Sequence, residues 1–235
     1  MNQLYWLYIL LSLLALIIVY ILAGVYKVLV IDTRVYAKFW RELAARPAKG
    51  SELVMVALGD STFQAVGATQ PLLGTVGLSA KHIEQQTGRS VHINNFSVTG
   101  AKACDVAESQ LSQADLKSAD IVLVAVGAND ALKGSDLRTF EQSIRQICKK
   151  LPADKTIMAD VALVNHRRPY QKLLAKYRDQ AGIWPADLSY SFGVVAQGWR
   201  LSARDFFHPS DYGYTFWFKA FQPALDKLIA SRLAK

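Results

Sequence analysis

From Leu4 to Tyr26 the chain runs for 23 residues without a charge, nearly all of them Leu, Ile, Val, Ala or aromatic. An apolar run of that length predicts a helix that crosses a bilayer, which needs about 20 such residues. Tyr5, Trp6 and Tyr8 at one end, and Tyr20 and Tyr26 towards the other, stand where amphipathic rings settle at headgroup level. After Gly50 the pattern changes to short apolar runs alternating with amphipathic stretches. Leu53–Leu58, Val91–Asn95, Ile121–Val126 and Thr156–Val164 read as strands, with Leu188–Val195 as a candidate fifth. Three of these runs are nearly continuous in apolar residues, as in strands covered on both faces, so the sheet they predict is mostly parallel and sheathed by helices.

The helices have their own signals. One segment runs from Ser79 to Gly88, and Asp105 followed by Glu108 resembles a capping box. Leu137, Phe140, Ile144, Ile147, Cys148 and Leu151 trace a helical stripe that stops at Pro152. A last helix extends from about Ser210 towards Leu233, with Pro223 expected to kink or restart it. The fold expected is α/β: a three-layer α/β/α sandwich with a mostly parallel, flavodoxin-like sheet, preceded by one N-terminal transmembrane helix. Its expected division is an anchor over 1–26, a basic juxtamembrane linker over 27–50 and the α/β domain over 51–235.

Composition sharpens this division. The chain is 51% hydrophobic and carries a formal charge of +8, with a mean hydropathy of +0.14. Residues 27–50 hold six basic and two acidic side chains, so half of the excess charge sits beside the span, where anionic headgroups attract Lys and Arg. The remainder has no basic run interleaved with aromatics, which argues against a nucleic-acid partner. No basic residue precedes the span and six follow it, a bias that favours a cytoplasmic main domain, although a large following domain can override it. A retained anchor is expected in place of a cleaved signal, because Met1-Asn2-Gln3 has no basic side chain and no small-residue cleavage site precedes Gly50. The first cysteine is Cys104, which excludes a lipoprotein signal, and Cys104 with Cys148 makes no disulfide framework.

In open parallel sheets the ligand site is built by the loops at the C-terminal ends of the strands. Those loops are Gly59-Asp60-Ser61, then Asn95 to Gly100, then Gly127-Ala128-Asn129-Asp130. Each by itself is ordinary turn chemistry. A fourth element, Asp205-Phe206-Phe207-His208-Pro209, places a carboxylate three residues before a histidine in a loop. Such a carboxylate can fold back onto Nδ1 and leave Nε2 outward, the arrangement that turns a histidine into a base for a serine hydroxyl. Of the other histidines, His82 is expected on a solvated helix face, His92 at the start of a strand, and His166 after the fourth strand as the rival base.

These four blocks, in this order, resemble the SGNH or GDSL hydrolases of the esterase and lipase type, over about residues 52–222. The resemblance implies Ser61 as nucleophile, His208 as base and Asp205 as its orienting acid. It also implies an oxyanion hole from the backbone N–H groups of Ser61 and Gly100 and the side-chain amide of Asn129. Thr62 stands where the family usually has leucine, and Ser97 where a glycine is common; neither change removes a catalytic atom.

Other designs fit less well. There is no G-x-S-x-G elbow, no paired metal-ligand spacing and no phosphate-cradling glycine loop, so no metal or other cofactor is expected. The expected activity is a membrane-anchored serine hydrolase acting on a small-molecule or lipid ester or thioester, with lipase, esterase or lysophospholipase character. A carbohydrate O-acetyl esterase is the alternative on the same site. An inactive membrane-tethered binding domain is the alternative of another class. Trp184, Phe192, Trp199, Phe206 and Phe207 hint at acyl chains. Nothing in the sequence speaks to oligomeric state.

Overall fold

The computed structural model describes residues 3–161, 167–188 and 198–233. Among the described residues five strands form one parallel sheet: β1 (Leu53–Gly59), β2 (Val91–Asn95), β3 (Ile121–Ala125), β4 (Thr156–Ala159) and β5 (Trp184–Ala186). Their spatial order is β2-β1-β3-β4-β5, the flavodoxin-like winding, with its switch point between β1 and β3. Ala57 lies opposite Asn95 and Gly59 opposite Ala125, so β1, β2 and β3 end at one rim.

Strand alternation divides the core into two layers. Leu53, Met55, Ala57, Ile121, Leu123 and Ile157 face α2 (Thr33–Ala45), α3 (Thr75–Thr87) and α6 (Asp211–Leu228). Val56, Leu58, Val122, Val124 and Met158 face a helical run over 103–113, α4 (Leu137–Lys150) and α5 (Arg168–Gln180). The expected three-layer sandwich is the architecture found.

α1 (Gln3–Tyr26) is the apolar helix expected at the N-terminus, and it continues through a π-helical turn (Lys27–Asp32) into α2. Within the basic collar, Val28, Asp32, Tyr36 and Trp40 are buried at four-residue spacing. The wider π turn, bonded i to i+5, helps hold that stripe on one side. Lys27 bridges the same turn to Asp32 at 2.8 Å. The Tyr36 hydroxyl donates to the Ala68 carbonyl at 2.7 Å, and Trp40 Nε1 donates to the Gln64 carbonyl at 3.0 Å. α2 is thus a packed wall of the α/β domain that also grips the segment after β1.

Several local expectations are corrected. β5 lies at Trp184–Ala186, upstream of the run that suggested it, and residues 189–195 of that run fall outside the described residues. β4 ends at Ala159, and 162–164 are likewise outside them. Asp105 caps from the third helical position, accepting from the Lys102 backbone N–H at 2.8 Å. α6 runs unbroken through Pro223, which is exposed, so water can serve the carbonyl that the proline leaves without a donor. His82 is buried, because α6 lies over that face of α3; its Nε2 is 2.6 Å from Asp226. Cys148, by contrast, is buried on the α4 stripe where the sequence pattern places it, and burial pushes its thiol up to about 11.

Because Trp40 is buried and bonded to the segment after β1, Trp40→Ala should cost about 3–5 kcal/mol of stability. Chemical denaturation of the detergent-solubilised chain measures this. A loss under about 1 kcal/mol would mean that α2 is not part of the cooperative unit.

Candidate active site

The turn after β1 is held from several sides. Gln110, buried, accepts from the Gly59 N–H and donates to the Gly59 carbonyl, both at 2.8 Å. The Asp60 carboxylate accepts from the Thr62 N–H at 2.9 Å and the Thr62 hydroxyl at 2.8 Å. Thr62 therefore fixes the turn in place of the leucine usual in the resembling family. Backbone bonds from Phe63 and Gln64 to the Asp60 carbonyl close it. Burial pushes the Asp60 carboxyl up, opposed by the Thr62 bonds and by the charge of Arg167.

The second loop is tied to the first. Asn95 Nδ2 donates to the Phe63 carbonyl at 2.8 Å, and its Oδ1 accepts from the Ser97 N–H and hydroxyl. The Thr99 N–H and hydroxyl both donate to Gln64 Oε1. Ser97 thus uses its hydroxyl to stiffen a turn in which a glycine would have none. In the third loop, Asn129 Nδ2 donates to the Ala101 carbonyl at 3.0 Å and to Asp60 at 3.2 Å. The neighbouring Asp130 accepts from the Ala103 N–H at 2.9 Å, and burial raises its pKa.

The fourth element is the loop before α6. An antiparallel bridge between Ser202 and Pro209 closes it, and the Ser210 hydroxyl caps α6 by accepting from the Gly213 N–H. Inside, the Asp205 carboxylate accepts from the backbone N–H groups of Phe207 and His208, both at 3.1 Å, and lies 2.5 Å from His208 Nδ1. Burial acts to raise the Asp205 pKa, but the bonds from His208 and the two N–H groups outweigh it and hold the pKa below the ordinary carboxylate value. An ionised Asp205 keeps the proton on Nδ1 and leaves Nε2 as acceptor. His208 Nε2 is 2.9 Å from Ser61 Oγ, across 147 residues of chain.

Gly67 makes this approach possible. Its φ is +97°, and a Cβ there would lie 2.6 Å from the Pro209 carbonyl oxygen and 2.9 Å from His208 Cβ.

A cavity of about 270 Å³ opens over these groups, lined by Ser61, Asn129 and His208 and walled by Leu132, Phe206, Phe207 and Trp217. Gly100 sits at φ +80° in a separate depression with Val98 and Ala101. Of the expected site residues, Ser61, Asp205 and His208 form one hydrogen-bonded chain and Asn129 joins them at the cavity, whereas Gly100 is not among the residues that line it. His92 lies in β2 and bonds Asn94, while His166 falls outside the described residues. Sequence reasoning missed Arg167, which also lines the cavity; its Nε is buried without a hydrogen-bond partner. The only signal for it was its place just after the fourth strand. Among the described residues no cluster of His, Cys, Asp or Glu could hold a metal ion.

The sequence matches the GDSL-like lipase/acylhydrolase family over residues 57–216. No curated protein sequence matches the chain. Among solved structures, the crystal structure of TesA aligns with a TM-score of 0.63 at 18% identity, covering 74% of this chain and 99% of that one. The lipase/acylhydrolase from Enterococcus faecalis aligns at 0.62 and 19% identity, covering 77% and 97%. The Clostridium thermocellum family 3 carbohydrate esterase aligns at 0.62 and 16% identity, covering 77% and 99%. At such identities these likenesses speak to fold.

Gly67→Ala should push the His208 loop away from Ser61. A displacement near 1 Å in such a constellation costs about 10²-fold in rate. Hydrolysis of a short nitrophenyl ester, with circular dichroism as the fold control, reads this out; unchanged turnover would show that the loops tolerate the side chain.

Proposed function

The chain belongs to the GDSL-like lipase/acylhydrolase family and is an ester-cleaving hydrolase, and from that premise we propose that it is a membrane-anchored serine hydrolase acting on carboxylic esters or thioesters. The observation that carries this reading is the chain of contacts from Asp205 through His208 to Ser61. A serine hydroxyl attacks a carbonyl only when a base takes its proton, and Nε2 is at hydrogen-bond distance to do so.

In the proposed reaction His208 takes the Ser61 proton as Oγ attacks the acyl carbon. Asp205 steadies the imidazolium that forms. The C–O or C–S bond then breaks as His208 returns the proton to the leaving alcohol or thiol. Water, deprotonated by His208, attacks the acyl-serine and releases the acid. The developing oxyanion is received by the backbone N–H groups of Ser61 and Gly100, neither of which donates a hydrogen bond among the described residues. Asn129 supplies the third donor by exchanging its longer bond, the one to Asp60, for the oxyanion. Each such donor is worth about 3–4 kcal/mol of barrier.

The cavity walls favour an acyl chain over a sugar. Leu132, Phe206, Phe207 and Trp217 offer apolar surface, and Arg167 is the one cationic side chain among its lining residues. A carbohydrate O-acetyl esterase on the same site is separated by comparing acetyl with octanoyl nitrophenyl esters, of which the octanoyl ester should turn over faster.

The anchor is α1. Its 24 residues extend about 36 Å, enough for a hydrocarbon layer of about 30 Å. Leu10, Leu16, Val19 and Leu22 are each more than 60% exposed, a surface that a bilayer would cover. The six basic residues that follow the span favour a cytoplasmic active site.

Ser61→Ala should lower kcat/KM on a soluble ester by at least about 10³-fold, and Asp205→Asn by about 10³- to 10⁴-fold, with the fold intact by circular dichroism. Full activity in Ser61→Ala would remove the assignment.

A further inference from the structure

The contacts made by α1, the π turn and α2 walk in order across the domain. Trp40 bonds Gln64 and Tyr36 bonds Ala68, both in the segment after β1. Towards the N-terminus the next contacts are with the loop that carries Asp205 and His208. A Cβ on Gly24 would lie 3.0 Å from Arg204 Cβ, and the Arg204 guanidinium lies 5.3 Å from the centre of the Tyr20 ring. Of the domain parts named, the 202–210 loop therefore meets the helix nearest its apolar end.

The height of that contact follows from helix geometry. From Leu4 to Gly24 there are 20 residue-to-residue steps, about 30 Å of rise, which is about the thickness of the hydrocarbon layer. With Leu4 at one edge of that layer, Gly24 stands at the other, with Tyr26 about 3 Å beyond it at headgroup level and Tyr20 about 6 Å inside it. Arg204, packed on Gly24, occupies the zone where a guanidinium meets lipid phosphates. Arg200, exposed over the Tyr212 ring at 5.4 Å, adds a second cation on the same segment.

Two and three residues beyond Arg204 come Phe206 and Phe207, which are 69% and 59% exposed. Phe206 also sits at φ +57°, a left-handed conformation costly for a bulky side chain. Walling the cavity does not require either ring to stand this far out into water. A loop lying on a membrane would shelter both. Both rings line the Ser61 cavity, and Phe207 packs edge-on against the His208 ring at 4.9 Å.

We propose that the 202–212 segment lies on the bilayer surface, that Phe206 and Phe207 enter the headgroup region, and that the substrate is an ester-bearing amphiphile drawn directly from that leaflet. This rests on the anchored-hydrolase reading above. The rigid helix holds the cavity mouth at the interface, so a lipid can present its ester to Ser61 while its remaining chain stays in the hydrocarbon.

The test uses the full chain in vesicles of phosphatidylcholine and phosphatidylglycerol. A spin label at Phe206→Cys, in a Cys104→Ser background, should be more accessible to oxygen than to a water-soluble nickel chelate. A label at Lys117→Cys, exposed on the loop leading into β3 and so at the far end of the sheet from the site, should show the reverse. A label at 206 as water-accessible as the one at 117 overturns the membrane contact. Protein that fails to float with the vesicles overturns the anchor and the contact together. In a second arm, a flexible Gly/Ser segment between Tyr26 and Lys27 keeps the protein tethered but frees the domain from its fixed height. Turnover of a bilayer-resident ester should then fall about tenfold or more, with a water-soluble acetyl ester unaffected. Equal turnover of both esters before and after insertion overturns the substrate claim. Wild-type protein that hydrolyses neither ester contradicts the hydrolase reading, and the label depths still decide the membrane contact.

Discussion

A serine and a histidine separated by 147 residues of chain must come within hydrogen-bond distance, and much of the domain's local structure serves that one approach. The parallel sheet carries the Ser61 turn to the rim at the switch point, and α6 begins just after His208. Between them the two segments are stapled repeatedly. The Thr69 N–H and hydroxyl bond Asp211 at 2.7 Å each, and the buried Tyr214 hydroxyl donates to the Val66 carbonyl at 2.7 Å. Gly67 lets the backbones touch, and α2 presses the same stretch from the other side through Tyr36 and Trp40. Such redundancy suits a contact whose value depends on fractions of an ångström.

The same junction concentrates buried charge. Asp60, Asp130 and Asp205 all have little exposed side-chain surface, and an unpartnered buried carboxylate is expensive. The site meets that cost with directed donors: Thr62 and Asn129 for Asp60, Ala103 for Asp130, and two backbone N–H groups with His208 for Asp205. The sign of each shift follows from this balance. Where burial prevails, at Asp60 and Asp130, the pKa rises; where hydrogen bonds prevail, at Asp205, it falls. Asp205 therefore contributes stability above the ordinary carboxylate pKa, and that contribution is lost as pH falls through its lowered folded value.

Much of this architecture was legible in the sequence. β1, β2 and β3 stand out because strands buried on both faces are continuous in apolar residues, and the α4 stripe because its partner is the core. What was less legible has physical causes. Tyr36, Phe39, Trp40 and Leu43 form a helical stripe inside the collar, yet the surrounding Lys and Arg mask it, and the segment reads as a linker. His82 reads as solvated because its neighbours Lys81 and Glu84 are polar, whereas its environment is set by α6, 144 residues away in sequence. β5 has three residues, too few for a periodic signal. Of the site, the four loops were legible as blocks, but Arg167 was not, since its place at the cavity is a property of the fold.

The proposed function turns on Ser61 as the attacking group. The most direct measurement is covalent capture: treat the folded chain with a fluorophosphonate, digest it, and locate the adduct by mass spectrometry. One adduct per chain is expected, on the peptide containing Ser61, and none on the denatured protein. An adduct on another residue, or a folded chain that takes none, would contradict that assignment.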